Sequence, residues 1–377
     1  MTRVGILGGG QLARMMALAG APLGLHFRVL DVSPEACAAQ FAPLIVADYT
    51  DREALARFAE QVDVVTFDFE NVPAESAQFL AERLPVFPNP KALAIAQDRL
   101  HEKTLFRELG LGTPAFAAVD SLADLRHACA EIGFPCVLKT RRLGYDGKGQ
   151  YRLKSEADIE PAFAELGRVP LILEAFVHFR REVSVVAVRS RLGAFSAYPL
   201  TQNWHADGIL SASLAPAPHA ERLAARAFAA AQKLADQLNY VGVFALELFD
   251  IGDDQFLVNE MAPRVHNSGH WTQEGALTSQ FANHLRAVVG LPLGSTELLA
   301  PTVMLNWVGT LPAREPVLAY RRGYFHDYGK SPRAGRKVGH ANIVADNLPQ
   351  LADALASLGQ ALDRETQIAP VLQALRS

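Results

Sequence analysis

Two glutamates carry the sharpest chemical signal in the sequence. Glu247 lies in the apolar run VFALELF and Glu260 in the run FLVNEM. Both runs read as strands, and a tight turn at Asp253 and Asp254 between them makes a hairpin in which Glu247 faces Glu260. Like charges directly opposite on a sheet are destabilising, and a bare carboxylate among apolar neighbours is costly. A divalent cation between them resolves both problems. Two hard oxygen donors completed by nucleotide phosphates suit Mg2+. The other resolution is arginine partners, with Arg264 the obvious candidate.

A glycine-rich loop supplies the phosphate side. Residues 144–150 read GYDGKGQ: Gly144, Tyr145, Asp146, Gly147, Lys148, Gly149 and Gln150. They follow Lys139, which ends a strand over 136–140. Three glycines so close together carry a large conformational entropy in the free chain. Proteins accept that where a backbone closes over a ligand. Lys148 and Lys139 put two cations beside the backbone donors, which suits a triphosphate. The Walker A order is absent, and a plain hairpin turn is the simpler alternative.

Residues 261–272 read MAPRVHNSGHWT, with Arg264, His266, Asn267, Ser268, His270 and Thr272 crowded together. That density of hydrogen-bonding side chains marks a ligand-reading loop. Further on, Lys330, Arg333, Arg336 and Lys337 stand among Gly329, Gly335 and Gly339. They form either a monophosphate site or a solvated basic turn. At the start, Gly8, Gly10 and Ala13 fit G-x-G-x-x-[GA], with Asp31 about twenty residues on. Taken alone, that turn points to a dinucleotide-binding oxidoreductase or to close helix–strand packing, and Gln11 stands at its mouth.

The elements that must position these groups follow from periodicity. Strands over 4–7, 27–31, 44–47, 62–67 and 86–87 alternate with helices over 11–19, 51–60 and 74–83. This is the rhythm of a doubly wound parallel sheet, whose sites lie at the strand carboxyl ends. A proline-rich FPNP at 87–90 suggests a boundary. After it come one helix over 91–109, strands over 136–140 and 150–153, and a helix over 156–166. Strands over 171–176, 182–189 and 194–199 lead to an amphipathic helix over 219–238. The hairpin strands 243–250 and 255–261 follow, then strands over 303–308 and 338–344 and a terminal helix. No internal repeat is evident.

Composition sets the bounds. The chain has 377 residues, half of them hydrophobic, which is enough for two or three domains. The net charge of −4 offers no basic surplus for nucleic acid. Cys37, Cys129 and Cys136 lack CxxC spacing and read as buried thiols in a reducing compartment. With no leader pattern and no long apolar run, a soluble cytoplasmic protein without membrane association is expected.

The motifs GYDGKGQ, PRVHNSGHWT and HDYGKSPRAGRKVGH, with the paired glutamates, closely resemble the N5-carboxyaminoimidazole ribonucleotide synthetases of the ATP-grasp superfamily. GILGGGQLARMMALA and FDFENVP resemble the opening of that family, and the likeness runs from about residue 3 to residue 345. The resemblance implies an α/β ATP-grasp fold with an N-terminal Rossmann-like parallel-sheet domain and a small C-terminal domain. The expected divisions are 1–98, 99–178 with the glycine-rich lid, 179–295 with the Mg2+ site, and 296–377.

The implied reaction couples ATP, bicarbonate and 5-aminoimidazole ribonucleotide, through carboxyphosphate, to the N5-carbamate of de novo purine biosynthesis. The implied nucleotide residues are Arg99, Lys139, the loop from Gly144 to Gln150, Glu174, Ala175, Phe176, Val177, Glu182, His205, Asn259 and Glu260. Glu247 and Glu260 are the implied Mg2+ ligands. Gln11, Glu70, Arg264, His266, Ser268, Lys330, Arg336 and Lys337 are implied on the substrate side, and Tyr145, Asp146, Lys148, Arg264 and His266 in catalysis. A homodimer and a downstream mutase are also implied. The sequence departs from the pattern at Ala13, where glycine is usual, and at Ala262, where many ATP-grasp enzymes place an asparagine metal ligand. The alternative is another carboxylate–amine ligase of the superfamily, such as the formate-using glycinamide ribonucleotide transformylase.

Overall fold

The computed structural model describes residues 1–144 and 149–376. The first four strands, β1 (Arg3–Leu7), β2 (His26–Asp31), β3 (Leu44–Val46) and β4 (Val64–Phe67), form a parallel sheet in the order β3-β2-β1-β4. Strands β1 and β4 are buried along nearly their whole length, as a parallel sheet covered on both faces requires. Helix Gln11–Gly20 covers one face with Leu12, Met15 and Met16. Helices Arg52–Ala59 and Ala74–Ala81 cover the other with Leu55, Phe58 and Leu80. The expected strand over 86–87 is only a single bridge, Val65 to Val86. Pro85 and Pro88 flank it, and neither has an N–H to continue a ladder.

The expected single helix over 91–109 is two, Pro90–Ala96 and Arg99–Glu108. The break is made by Asp98, which stays extended and accepts hydrogen bonds from the Leu100 and His101 N–H groups. An aspartate that caps a new helix competes with continuation of the old one.

A second sheet is antiparallel, in the order β5-β8-β6-β7: β5 (Phe116–Val119), β6 (Cys136–Thr140), β7 (Gln150–Leu153) and β8 (Leu171–Ala175). Its strands alternate. Cys136, Leu138, Leu153, Leu171 and Leu173 pack under helices Leu122–Ile132 and Ile159–Leu166. The period of two then sends Val137, Lys139, Ile172 and Glu174 to the opposite face.

The third sheet has nine strands: β9 (Arg181–Arg189), β10 (Phe195–Ala197), β11 (Thr201–Ala206), β12 (Ile209–Ala215), β13 (Gly242–Gly252), β14 (Gln255–Ala262), β15 (Thr302–Val308), β16 (Gly323–Asp327) and β17 (Lys337–Val344). Their order is β14-β13-β9-β11-β12-β15-β17-β16, with β10 on β9. Helix Glu221–Gln237 packs Leu223, Ala227 and Leu234 against Val183, Val185, Leu246 and Leu248. Periodicity does not disclose β11, β12 or the helix Gln280–Val289. That helix buries Gln280, Asn283 and His284 beside Phe281, Leu285 and Val288, so its inner face mixes polar with apolar groups. The tail holds two helices, Leu348–Leu362 and Glu365–Arg376, where one is expected, with a left-handed Asp363 between them. No described helix is long and apolar enough to cross a membrane.

Candidate active site

The β13–β14 hairpin turns at Asp253 and Asp254, both at positive φ (52° and 56°), as a two-residue hairpin loop requires. Glu247 pairs with Glu260 as expected, but by way of two compensating irregularities. The register slips once between Asp250 and Gly252 and back between Glu247 and Leu248. At the second slip Asn259 is the extra residue, a β-bulge beside the carboxylates.

Each glutamate has a basic neighbour. His266 Nε2 is 3.1 Å from Glu247 Oε1, and Arg99 Nη1 is 2.6 Å from Glu260 Oε2. The Ser268 N–H donates to His266 Nδ1 (3.3 Å), which leaves Nε2 to donate to Glu247. Burial pushes the Glu247 carboxyl up, but His266, His205 and Lys337 outweigh it and hold it below the usual carboxylate range. The arginine on the pair is therefore Arg99 and not Arg264. Arg264 is held by Glu70 through two hydrogen bonds, Nη2 to Oε1 at 2.9 Å and Nε to Oε2. That fork outweighs the burial of Glu70 and holds its carboxyl at about 2.

In the structure their charges are met by Arg99 and His266; as hard oxygen donors the two carboxylates would also suit a divalent cation. Among the described residues no third acidic, histidine or cysteine ligand completes a metal cluster. A cation held by Glu247 and Glu260 would need its other ligands from phosphate oxygens and water.

Arg99 has a second contact: its Nη2 donates to the Gly144 carbonyl, 3.3 Å away. One guanidinium thus joins the glutamate pair to the first residue of the glycine-rich segment. Tyr145, Asp146, Gly147 and Lys148 lie outside the described residues. Gly149 has φ +70°, and its carbonyl accepts from the Thr140 N–H. Gln150 opens β7. On the open face of the second sheet, Lys139 Nζ lies 3.1 Å from Glu174 Oε2. Glu174 Oε1 is buried with no hydrogen-bond partner. Beyond Ala175 the chain leaves the sheet at Phe176, whose ring carries the Arg152 guanidinium at 3.9 Å, and Val177 follows half-buried. His205 Nδ1 is 2.5 Å from Glu182 Oε2.

The N-terminal turn is already filled. The Gly9 N–H donates to Asp31 Oδ2 (2.6 Å) and the Gly10 N–H to Asp68 Oδ2. A Cβ on Gly10 would stand 2.5 Å from that oxygen. Two of the protein's own carboxylates occupy the donors that a dinucleotide pyrophosphate would need, so the oxidoreductase reading loses its anion site. Burial pushes Asp68 up to about 6, against the pull of Lys330 and Arg264. Lys330 Nζ donates to Gln11 Oε1. Arg336 turns back on Ser331, with Nη1 3.0 Å from its hydroxyl, while Arg333 is exposed. Lys337 acts electrostatically on Glu247 and His205, so the basic tail reaches both the N-terminal carboxylates and the glutamate pair. Ser268 is buried, its hydroxyl between Ser184 (2.8 Å) and His266 Nδ1 (2.9 Å), beneath the site and not open to it.

Three neighbours of the site are absent from the sequence reading. Asp68 stands beside Glu70 in the same FDFE run at the end of β4. Glu102 and Lys103 stand three and four residues after Arg99, hence on its face of the helix. Glu102 accepts from the Met261 N–H (2.7 Å) and is pushed up to about 8 by burial and by Glu260.

Comparison with known proteins agrees along the chain. Residues 1–97 match the ribonucleotide synthetase preATP-grasp domain, 104–281 the ATP-grasp domain, and 302–354 the phosphoribosylaminoimidazole carboxylase C-terminal domain. The N5-carboxyaminoimidazole ribonucleotide synthase of Pseudomonas aeruginosa is 53% identical over 90% of this chain and 94% of its own. The Bacillus subtilis protein of the same name is 41% identical over 90% and 91%. The crystal structure of the Thermus thermophilus N5-carboxyaminoimidazole ribonucleotide synthetase superposes with a TM-score of 0.91 at 53% identity, covering 95% of this chain and 98% of that one. The Aspergillus clavatus N5-carboxyaminoimidazole synthase, crystallised with ADP and 5-aminoimidazole ribonucleotide, superposes with a TM-score of 0.89 at 29% identity, covering 96% and 99%.

Proposed function

The chain belongs to the N5-carboxyaminoimidazole ribonucleotide synthase family of ATP-grasp ligases, and from that premise we propose how its residues carry out the reaction. It is an ATP-consuming ligase of purine biosynthesis that carboxylates 5-aminoimidazole ribonucleotide on its exocyclic nitrogen. Bicarbonate is the carboxyl donor. A bicarbonate oxygen attacks the γ-phosphorus, ADP leaves, and the carboxyphosphate so formed releases phosphate and carbon dioxide. The exocyclic amine attacks that carbon and loses a proton to give the carbamate.

Arg99 and Lys139 hold the phosphates, and Gly144 to Gln150 closes over them, excluding water that would consume the intermediate. Glu174, Ala175, Phe176, Val177, Glu182, His205 and Asn259 surround the base and sugar of ATP. Glu247 and Glu260 would hold Mg2+, which would offset charge on the transferring phosphoryl group. Gln11, Glu70, Lys330, Arg336 and Lys337 receive the ribonucleotide. Arg264, fixed by Glu70, faces the carboxyl donor together with His266, and Ser268 orients His266. Tyr145, Asp146 and Lys148 join them in catalysis.

The domains run 1–98, 99–178, 179–295 and 296–377. The three free, buried cysteines support a reducing, cytoplasmic setting. A homodimer and a separate mutase acting on the product complete the proposal.

One observation supports this reading best: the Arg99 guanidinium touches both Glu260 and the carbonyl of Gly144, the first residue of the glycine-rich segment. The test is ATP turnover with each acceptor. ADP release is expected to require 5-aminoimidazole ribonucleotide and bicarbonate together. Stimulation by glycinamide ribonucleotide and formate instead would replace the proposed substrates.

A further inference from the structure

Lys103 is fully buried, yet it is part of no motif and has no place in the reaction described above. Its ammonium lies 3.1 Å from Glu174 Oε2 and donates to the Asn259 carbonyl at 3.0 Å. Asn259 is the bulged residue of β14, taken out of the pairing register beside Glu260. Glu174 belongs to β8 of the other sheet and pairs through the same oxygen with Lys139. One ammonium therefore ties the carboxylate of one sheet to the backbone of the other, on the floor between Lys139 and Glu260.

The charges explain why a second cation is needed. Glu174 and Lys139 alone would make a neutral pair, and a lysine cancelled by its own carboxylate attracts phosphate weakly. With Lys103 on the same oxygen, the trio carries one net positive charge. Lys103 itself is sealed from solvent, so the excess is presented through Lys139, which keeps 15% side-chain exposure. A buried lysine is retained only where partners meet its charge. Here both partners flank the proposed nucleotide.

We infer that Lys103 is a positioning residue for ATP: it holds Glu174 from behind, fixes β8 to the β14 bulge, and so keeps Lys139 placed toward the phosphates. This inference rests on the assignment of Lys139 to the nucleotide.

The test is calorimetric titration of the full-length protein with ADP–Mg2+, alongside steady-state kinetics. Lys103→Met is expected to weaken ADP binding and raise the ATP KM by roughly ten- to hundredfold, as loss of a charged hydrogen bond does. The KM for 5-aminoimidazole ribonucleotide should stay within about twofold. In a Glu174→Gln background the same substitution should add little, because Lys103 acts through Glu174. Lys103→Gln keeps a donor for the Asn259 carbonyl without the charge, and should bind ADP as poorly as Lys103→Met.

Parental ADP affinity in either variant, or equal loss of ATP and ribonucleotide affinity, would overturn the inference. So would failure of both variants to fold, which would make Lys103 a residue of the core and not of the site. Lys139→Met is the control. If it leaves ATP binding intact, the nucleotide assignment itself fails. If it abolishes binding while Lys103→Met does not, only the inference on Lys103 fails.

Discussion

Glycine at position 10 shows how tightly single side chains are specified here. Its amide donates to Asp68, and a methyl group at that position would sit 2.5 Å from the carboxylate oxygen. Gly10→Ala must therefore move Asp68, which lies beside Lys330 and Arg264. The expected result is a stability loss of about 1–3 kcal/mol and a raised ribonucleotide KM, with ATP affinity unchanged. Thermal melts and kinetics with each substrate varied in turn check it. Glu260→Gln keeps the shape of the side chain and removes the charge shared with Arg99. A loss of turnover of at least about a hundredfold is expected, as for other groups acting on developing charge, with the fold intact by circular dichroism. Near-parental turnover would remove Glu260 from the proposed metal site.

The hairpin and the split helix work as a pair. The bulge at Asn259 restores the register that brings Glu247 opposite Glu260. The helix Arg99–Glu108 meets that bulge with three inward groups: Arg99 on Glu260, Glu102 under the Met261 amide, and Lys103 on the Asn259 carbonyl. Asp98 starts this helix in the right phase. Asp98→Ala should cost about 1 kcal/mol for the lost cap. It should also raise the ATP KM, because the three groups would no longer be held in register. Differential scanning calorimetry and ATP kinetics test both halves. A stability loss with unchanged ATP KM would separate the cap from the site.

Over the whole chain, several histidines are buried uncharged. His284 accepts from the Val243 N–H at Nδ1 (3.0 Å), so its Nε2 carries the proton and donates to Thr66 Oγ1 (2.7 Å). Burial lowers its pKa from 6.5 to about 3. Burial, together with neighbouring histidines, also takes His270 and His340 well below 6.5. A group whose folded pKa is depressed contributes stability above its unfolded pKa and loses it as pH falls toward the folded value. The melting temperature should therefore fall as pH drops below about 6.5, and His284→Gln should flatten part of that decline. An unchanged pH profile in the variant would show that His284 is not a major contributor.

The same scale shows what the sequence discloses. The parallel N-terminal sheet and the facing glutamates were legible because strand period and turn residues are local signals. The partners of the charges were not. Arg264 and Glu70 are far apart in the chain, as are Arg99 and Glu260, and only the packing of three sheets decides which arginine meets which carboxylate. In the helix Gln280–Val289 the polar groups that interrupt the apolar stripe are satisfied only by tertiary hydrogen bonds, which local pattern does not disclose.

The continuous pairing from β14 through β13, β9, β11, β12 and β15 to β17 makes one stiff platform that bears both Glu247 and Lys337. No break in the ladder separates their strands, so the spacing between these two charges is set by the sheet and not by what is bound. Spin labels on β13 and β17 should keep their spacing when nucleotide is added.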